Sequence, residues 1–408
     1  MRIRKKYLFY VLALTSAFAY AAAASLDGFV SYKFIKDPWV LCLSFFLIGV
    51  IITFFITLIL SLPIKGKSIG SKIDPSFRRL RLLRKEEIKY QLLSSIGNAV
   101  STIGYYFIVS MFVDSSVVLS FSQLVIIYLL VTESVAEKNA PTLAEIQSSV
   151  IVAFGAMLGS ISLSGEVRVD ALLIVFLVIN PAWVLFASYQ RKLKLLKIEE
   201  KPNDSINIRF WNLLFTTIFV SAIVFLINKQ LFFDSLDAMR SSFSWLSLGA
   251  VITFFSVVLF IRAMGIGKAS ITQAVRASSI IFTIPFIYIL SYFVPTITFV
   301  TDPVMLLIKL MGIILVVLGV ISFALTEIRA YVFINAKGGY SIKELMQKIW
   351  AIKGVDSVAA LAGSYDIIAK IRIRTLGKGY ERIIRKLEEI DGIWEFKWQS
   401  ILKEWEEI

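Results

Sequence analysis

The chain has 408 residues, of which 57% are hydrophobic and 18% charged, and a mean hydropathy of +0.77. No soluble domain of this length is so apolar, so the composition points to a polytopic membrane protein, and the formal charge of +14 says nothing of nucleic acid until its distribution is known. A single cysteine, Cys42, excludes an intrachain disulfide and a cysteine-based zinc site, and the absence of histidine removes the usual proton shuttle.

The first residues are basic (Arg2, Arg4, Lys5, Lys6), and an apolar run, 7–24, ends in alanines. That pattern fits a secretory signal peptide with an A-x-A cleavage site, or a first helix running on to Tyr32. The second reading is favoured because Phe29-x-Ser31-Tyr32 returns as Phe186-x-Ser188-Tyr189. Further apolar runs cover 38–62, 90–112, 115–132, 145–163, 170–190, 208–228, 243–263, 269–292 and 304–326. A span needs about 20 apolar residues, so ten helices are expected.

The runs repeat. Residues 96–133 fall on 249–286, carrying Phe107-Ile108-x-x-Met111 onto Phe260-Ile261-x-x-Met264. Each copy breaks at a short turn, Asp114-Ser115-Ser116 or Gly267-Lys268-Ala269, before an apolar run with a polar residue in mid-course, Gln123 or Arg276. Gly159-x-x-Ser162 against Gly319-x-x-Ser322 closes the repeat. Apolar repeats of this kind mark transporters built from two related halves. Five helices per half is an odd number, so the second half lies inverted.

The loops agree with this. With the N-terminus in the cytoplasm, the inner segments 63–89 and 191–207 hold most of the basic loop residues, while the outer segments hold Lys33, Lys36, Arg168, Lys229 and Arg240. The positive charge then reflects topology and attraction to anionic lipid. Within 63–89, Asp74-Pro75 reads as a helix start, with Phe77, Leu80 and Leu83 on one face. This segment is either a basic amphipathic helix on the inner leaflet or a solvated basic loop. Gly66-Lys67-Ser68 lacks the first glycine of a phosphate-binding loop, and the sequon Asn203-Asp204-Ser205 falls on the cytoplasmic side.

After Thr326 the composition becomes that of a water-soluble domain. Strand-like alternation at 331–336, helical spacing at 341–352, strands to about Ala362 and over 367–373, a helix at 378–390 and a last strand to about Leu402 give the order β-α-β-β-α-β. The expected fold is an all-α polytopic membrane domain of ten transmembrane helices in a five-plus-five inverted repeat, followed by a small α+β ferredoxin-like domain. Its divisions are 1–163, 164–328 and 329–408.

Residues 7–326 resemble the ten-helix EamA type of the drug/metabolite transporter superfamily. The resemblance rests on the inverted repeat, the short turn followed by small residues (Ser115-Ser116; Ala269-Ser270) and the glutamate closing the fourth helix, Glu133. Residues 331–403 resemble the effector-binding domain of Lrp/AsnC-type regulators through Gly354-Val355, Gly363-x-Tyr365-Asp366 and Asp391-Gly392-Ile393. That second resemblance implies a dimerising domain that binds a small effector, often an amino acid, near Gly363, Tyr365 and Asp366. The helix-turn-helix of such regulators is absent before it, so no nucleic-acid partner is expected.

Polar groups inside spans face a cavity or a partner, because hydrocarbon offers them nothing. Asn98, Tyr105, Gln123, Asn180, Gln273 and Arg276 lie well inside the runs and are the candidate substrate-binding residues. Arg276 leads, because its guanidinium keeps its charge and would attract a carboxylate; the alternatives are an inner-mouth position or a pair with Glu133. Asp27 and Glu133 are the candidates for ion coupling; the alternative for Asp27 is an exposed carboxylate near the outer mouth, and for Glu133 a residue that orders its loop. Gly363 is placed to supply a positive φ, and Asp366 an acceptor or an anion beside a ligand amine; the alternative is a tight hairpin turn in a domain used only for self-association.

The expected function is secondary transport, as an exporter, of small polar metabolites such as amino acids, with a cytoplasmic tail that senses a related compound. The alternative is a non-transporting membrane sensor or scaffold whose tail dimerises and binds the effector. No nucleophile–base pair, metal cluster or phosphate loop can be assembled, so neither an enzyme nor a cofactor is expected. The expected partners are the lipid bilayer, the substrate, the effector and a second copy of the chain. The expected place is the plasma membrane, with both termini cytoplasmic.

Overall fold

The computed structural model describes residues 5–64, 66–111, 123–136, 143–159, 173–198, 201–292, 303–325, 327–352, 354–374 and 379–400. Contacts divide the chain into two compact units. One holds 5–139 and 149–320, the other 1–4, 140–148 and 321–408. Both repeat copies fall mainly in the first unit.

That unit is helical. Its elements are α1 (Lys5–Lys33), α2 (Pro38–Ser61), α3 (Lys85–Met111), α4 (Val125–Ala136), α5 (Leu143–Gly159), α6 (Asn180–Leu195), α7 (Ser205–Ile227), α8 (Lys229–Ser241), α9 (Phe243–Met264), α10 (Ala269–Arg276), α11 (Ser279–Ser291) and α12 (Pro303–Leu325). Two short antiparallel strand pairs, β1 (Pro63–Ile64) with β2 (Lys67–Ser68) and β3 (Lys197–Ile198) with β4 (Lys201–Pro202), lie between helices in the chain. Among the described residues, α1, α2, α3, α7 and α9 are long and apolar enough to cross a membrane. Helix starts show ordinary capping chemistry. Asp37 accepts from the Trp39 and Val40 amides at 2.8 and 3.0 Å ahead of Pro38, and Asp204 accepts from the Asn207 amide at 2.7 Å.

Packing crosses between the copies. α1 runs along α9 while α3 runs along α6, so the first helix of each copy lies against the third helix of the other. Gly97 makes the second contact possible. A Cβ there would sit 2.6 Å from both the Ala182 carbonyl oxygen and the Phe186 amide nitrogen, which are backbone atoms that cannot swing away. Gly97→Ala is therefore expected to destabilise the protein by about 1–3 kcal/mol, read as a lowered Tm of the purified chain.

Four segments differ from their sequence expectation. The run at 170–190 contains one wide π-helical turn, Val175–Ile179, ahead of Asn180; such turns carry an extra residue and rotate the side chains beyond them about the helix axis. The run at 269–292 breaks after Arg276 and resumes at Ser279. Residues 229–241, expected as an outer loop, form α8, whose Leu231, Phe232 and Met239 pack on the core; the Ser44 hydroxyl donates to the Ser235 carbonyl at 2.9 Å. Residues 73–84 form neither an amphipathic helix nor a free loop. Phe77 is fully buried and Asp74 is engaged on both oxygens, so tertiary contacts override the helical spacing. The turn Asp114-Ser115-Ser116 and the loop at 293–302 lie outside the described residues.

In the second unit, β5 (Glu327–Ala336), α13 (Ile342–Trp350), β6 (Val355–Ala360), β7 (Ile367–Arg374), α14 (Gly379–Glu388) and β8 (Ile393–Ser400) come in that order. The sheet order is β6-β7-β5-β8, and every neighbouring pair is antiparallel. Alternate residues Val332, Ile334, Ala369 and Ile371 are fully buried with Leu345 and Ile349 of α13 and Leu387 of α14. Gly392 ends the turn before β8 at φ +106°, where a Cβ would also strike the Tyr340 ring at 2.6 Å.

Candidate functional site: a polar cavity among the helices

A cavity of about 90 Å³ lies among α1, α2, α3, α6, α7, α9 and α10. Five of the six candidate substrate residues line it: Asn98, Tyr105, Asn180, Gln273 and Arg276; so does Asp27. Two of these positions lie beside departures from regular helix. The π-helical turn directly precedes Asn180, and the break after α10 comes just beyond Arg276.

One pole is acidic. Asp27 is 9% exposed, and its carboxylate accepts from the Tyr105 hydroxyl at 3.1 Å and the Tyr106 hydroxyl at 3.4 Å. The basic groups come from Arg276 and Arg209. Arg276 is 1% exposed, its guanidinium 3.9 Å from the Tyr20 ring centre and 4.6 Å from that of Phe260. Its Nη2 donates to the Ser256 hydroxyl at 3.5 Å, while Nε and Nη1 have no partner. It is not paired with Glu133.

The remaining polar residues divide by what they already hold. Asn98 is used up within the protein: its Nδ2 donates to Asn212 Oδ1 and Thr216 Oγ1, both at 3.1 Å, and its Oδ1 accepts from Thr102 at 3.3 Å. Asn180 is the opposite case, fully buried with neither amide atom partnered. Gln273 donates to Gln123 Oε1 at 3.2 Å and leaves its own Oε1 unpartnered. Gln123 thus stands behind the lining, holding Gln273 from α10.

Glu133 lies away from the cavity. Its carboxylate accepts from the Ala269 and Ser270 amides at 2.8 and 3.2 Å and from the Ser270 hydroxyl, and pairs with Arg191 at 3.4 Å. It caps the first turn of α10 from another helix, and with it holds the helix that carries Gln273 and Arg276.

A second polar cluster closes the end of the bundle that bears the basic loops. Lys194 Nζ is 2.6 Å from Asp74 Oδ2 and donates to the Asn203 carbonyl at 2.6 Å. Arg81 clamps Glu87 with two bonds of 2.7 and 2.8 Å, and Asn203 joins both residues. Burial pushes the Asp74 carboxyl up, but the Lys194 ammonium and the Ser205 backbone amide outweigh it and hold Asp74 below its ordinary value. Asn203 is 2% exposed, with its Nδ2 donating to Glu87 and its Oδ1 accepting from Arg81, so the sequon is not an open acceptor in the folded chain.

In the second unit, Gly363, Tyr365 and Asp366 share the β6–β7 turn. Gly363 does not take the left-handed backbone expected of it; Gly354 and Gly392 do. The Asp366 carboxylate accepts from the Ala336 amide at 2.8 Å, and the Tyr365 ring packs on Phe333 at 5.2 Å. Both contacts tie the turn to the end of β5.

Arg209, Tyr20 and Trp183 also line the cavity, and the sequence alone does not single them out. A signal for Arg209 exists. Arg209, Asn212 and Thr216 recur at helical spacing along α7 and form a polar stripe on an otherwise apolar span.

No family model matches the chain, and no curated protein does. A solved structure described only as "Crystal structure of protein" is similar over 80% of this chain and 99% of its own, at 12% identity and a TM-score of 0.47. That likeness carries no argument about fold or function.

Proposed function

We propose that this chain is an integral membrane secondary transporter that exports small polar metabolites such as amino acids. In this reading ten helices form a five-plus-five inverted repeat of the EamA type in the plasma membrane. The tail is a cytoplasmic, Lrp/AsnC-like domain that dimerises and senses a small effector. The observation that carries the reading is the cavity itself: a space among apolar helices where Asn180, Gln273 and Arg276 keep buried polar atoms without protein partners. Such atoms are costly unless a solute or water meets them.

The crossed packing of α1 on α9 and α3 on α6 supports the repeat, because it is what two inverted copies facing each other produce. The strand order of the tail, with all neighbours antiparallel, supports the ferredoxin-like assignment. Export would proceed by alternating access, with the ionic cluster around Asp74 and Lys194 opening in one state, and the tail would act by binding its effector more tightly in one state than the other.

The test is flux of labelled amino acids and small organic acids in proteoliposomes of the full chain, compared with empty liposomes. Accumulation driven by a solute or proton gradient is the expected result. No flux of any solute in a broad panel, with the protein folded and inserted, overturns the reading.

A further inference from the structure

The cavity holds more positive than negative charge, and the excess is unpaired. Arg209, on α7, is 5% exposed and presents an unpartnered Nε. Arg276, from α10, adds an unpartnered Nε and Nη1. Among the described residues neither guanidinium has a carboxylate within ion-pair distance. Both guanidiniums line this one cavity. Asp27 lines the same cavity, but its oxygens are turned to Tyr105 and Tyr106.

Two desolvated guanidiniums on one cavity repel each other, and aromatic faces relieve only part of the cost of burying them. The lining also presents two further donors without acceptors, Asn180 Nδ2 and Trp183 Nε1, and two acceptors without donors, Asn180 Oδ1 and Gln273 Oε1. The charged part of the unsatisfied demand is for an anion with several acceptor oxygens, and the two unpartnered acceptors suit a donor group on the same molecule. A single carboxylate can bridge one guanidinium; two guanidiniums from different helices call for two acidic groups on one molecule. The cavity of about 90 Å³ is several times the roughly 15 Å³ that a single water needs, which suits a compact organic acid rather than a bulky one.

We infer that the cavity selects small dicarboxylates, acidic amino acids included, with Arg276 and Arg209 each taking one acidic group. This rests on the proposed function only in taking the cavity as the substrate site. In the amino-acid case Asp27 and its tyrosines are the lining groups suited to the ammonium.

The experiment uses the purified full chain, first in detergent and then in proteoliposomes. Succinate, aspartate and glutamate are compared with acetate, alanine and serine at equal ionic strength. Thermal stabilisation by the diacids at concentrations at least about tenfold below those needed for the monoacids is expected. In liposomes the diacids should compete for flux with the same preference. Arg209→Gln should raise the half-saturating concentration for succinate about 10- to 100-fold while changing that for acetate by less than about threefold. Diacid binding without flux would sink the transporter reading and leave this inference standing. Flux or stabilisation by alanine and serine equal to that by the diacids would overturn the inference and leave the transporter. No stabilisation by any diacid overturns it as well, whatever the Arg209 variant does.

Discussion

Arg276→Gln is expected to abolish solute flux, by at least about 100-fold, without lowering the Tm of the purified protein. The residue is buried with two guanidinium nitrogens unpartnered, so the folded state bears a desolvation cost that glutamine does not incur. The change removes stacking on Tyr20 and Phe260, worth up to about 2 kcal/mol when desolvated, and the two terms roughly offset. A purely structural arginine would behave otherwise: its loss would lower Tm and flux together. Flux assays and melting curves on the same preparation separate the two. A large fall in Tm, or retained flux, would show that Arg276 is not held in place for a ligand.

Lys194→Ala is expected to have the largest effect on stability, about 3–5 kcal/mol, because it leaves the Asp74 carboxylate buried without its cation. The lysine also donates to the Asn203 carbonyl, so the connection to the Arg81–Glu87 clamp loosens with it. Adding Asp74→Asn should restore part of the loss, since the charge that lacked a partner is then gone. The same pair sets a pH dependence of definite sign. Asp74 has a folded value below its unfolded one, so its stabilising contribution is complete above the ordinary carboxylate range and is lost as pH falls through the lower, folded value. Lys194→Ala should flatten that acid limb. Denaturation measured from neutral to acid pH in both proteins tests it, and an unchanged acid limb would mean that Asp74 does not contribute in this way.

The contrast between these two sites shows how far a linear sequence reaches. Arg276, Asn180 and Gln273 are legible because a polar residue inside a long apolar run is anomalous wherever the run packs, and the anomaly alone marks them as facing something polar. Asp27 is marked by the same rule, but sequence equally allows an exposed carboxylate at the outer mouth, and its burial under two tyrosine hydroxyls overturns that because Tyr105 and Tyr106 are far away in the chain. Arg209 reads as a loop charge; it lies near the start of its helix, where a basic residue is ordinary at a membrane edge. Only the packing of α7 against α3 turns it inward.

Composition and hydropathy alone determined that most of this chain is apolar helix and that its last part is a different, mixed helix-and-strand kind of domain, because both depend on how many apolar residues occur and at what period. The tertiary structure alone decided where helices bend or break, at Val175–Ile179 and after Arg276, and that 73–84 lies pinned by Asp74 and Phe77 rather than forming an amphipathic helix. The physical reason is range. Apolar period acts over a few neighbouring residues, whereas a buried ion pair or an unpartnered guanidinium is defined by atoms that meet only once distant helices have packed.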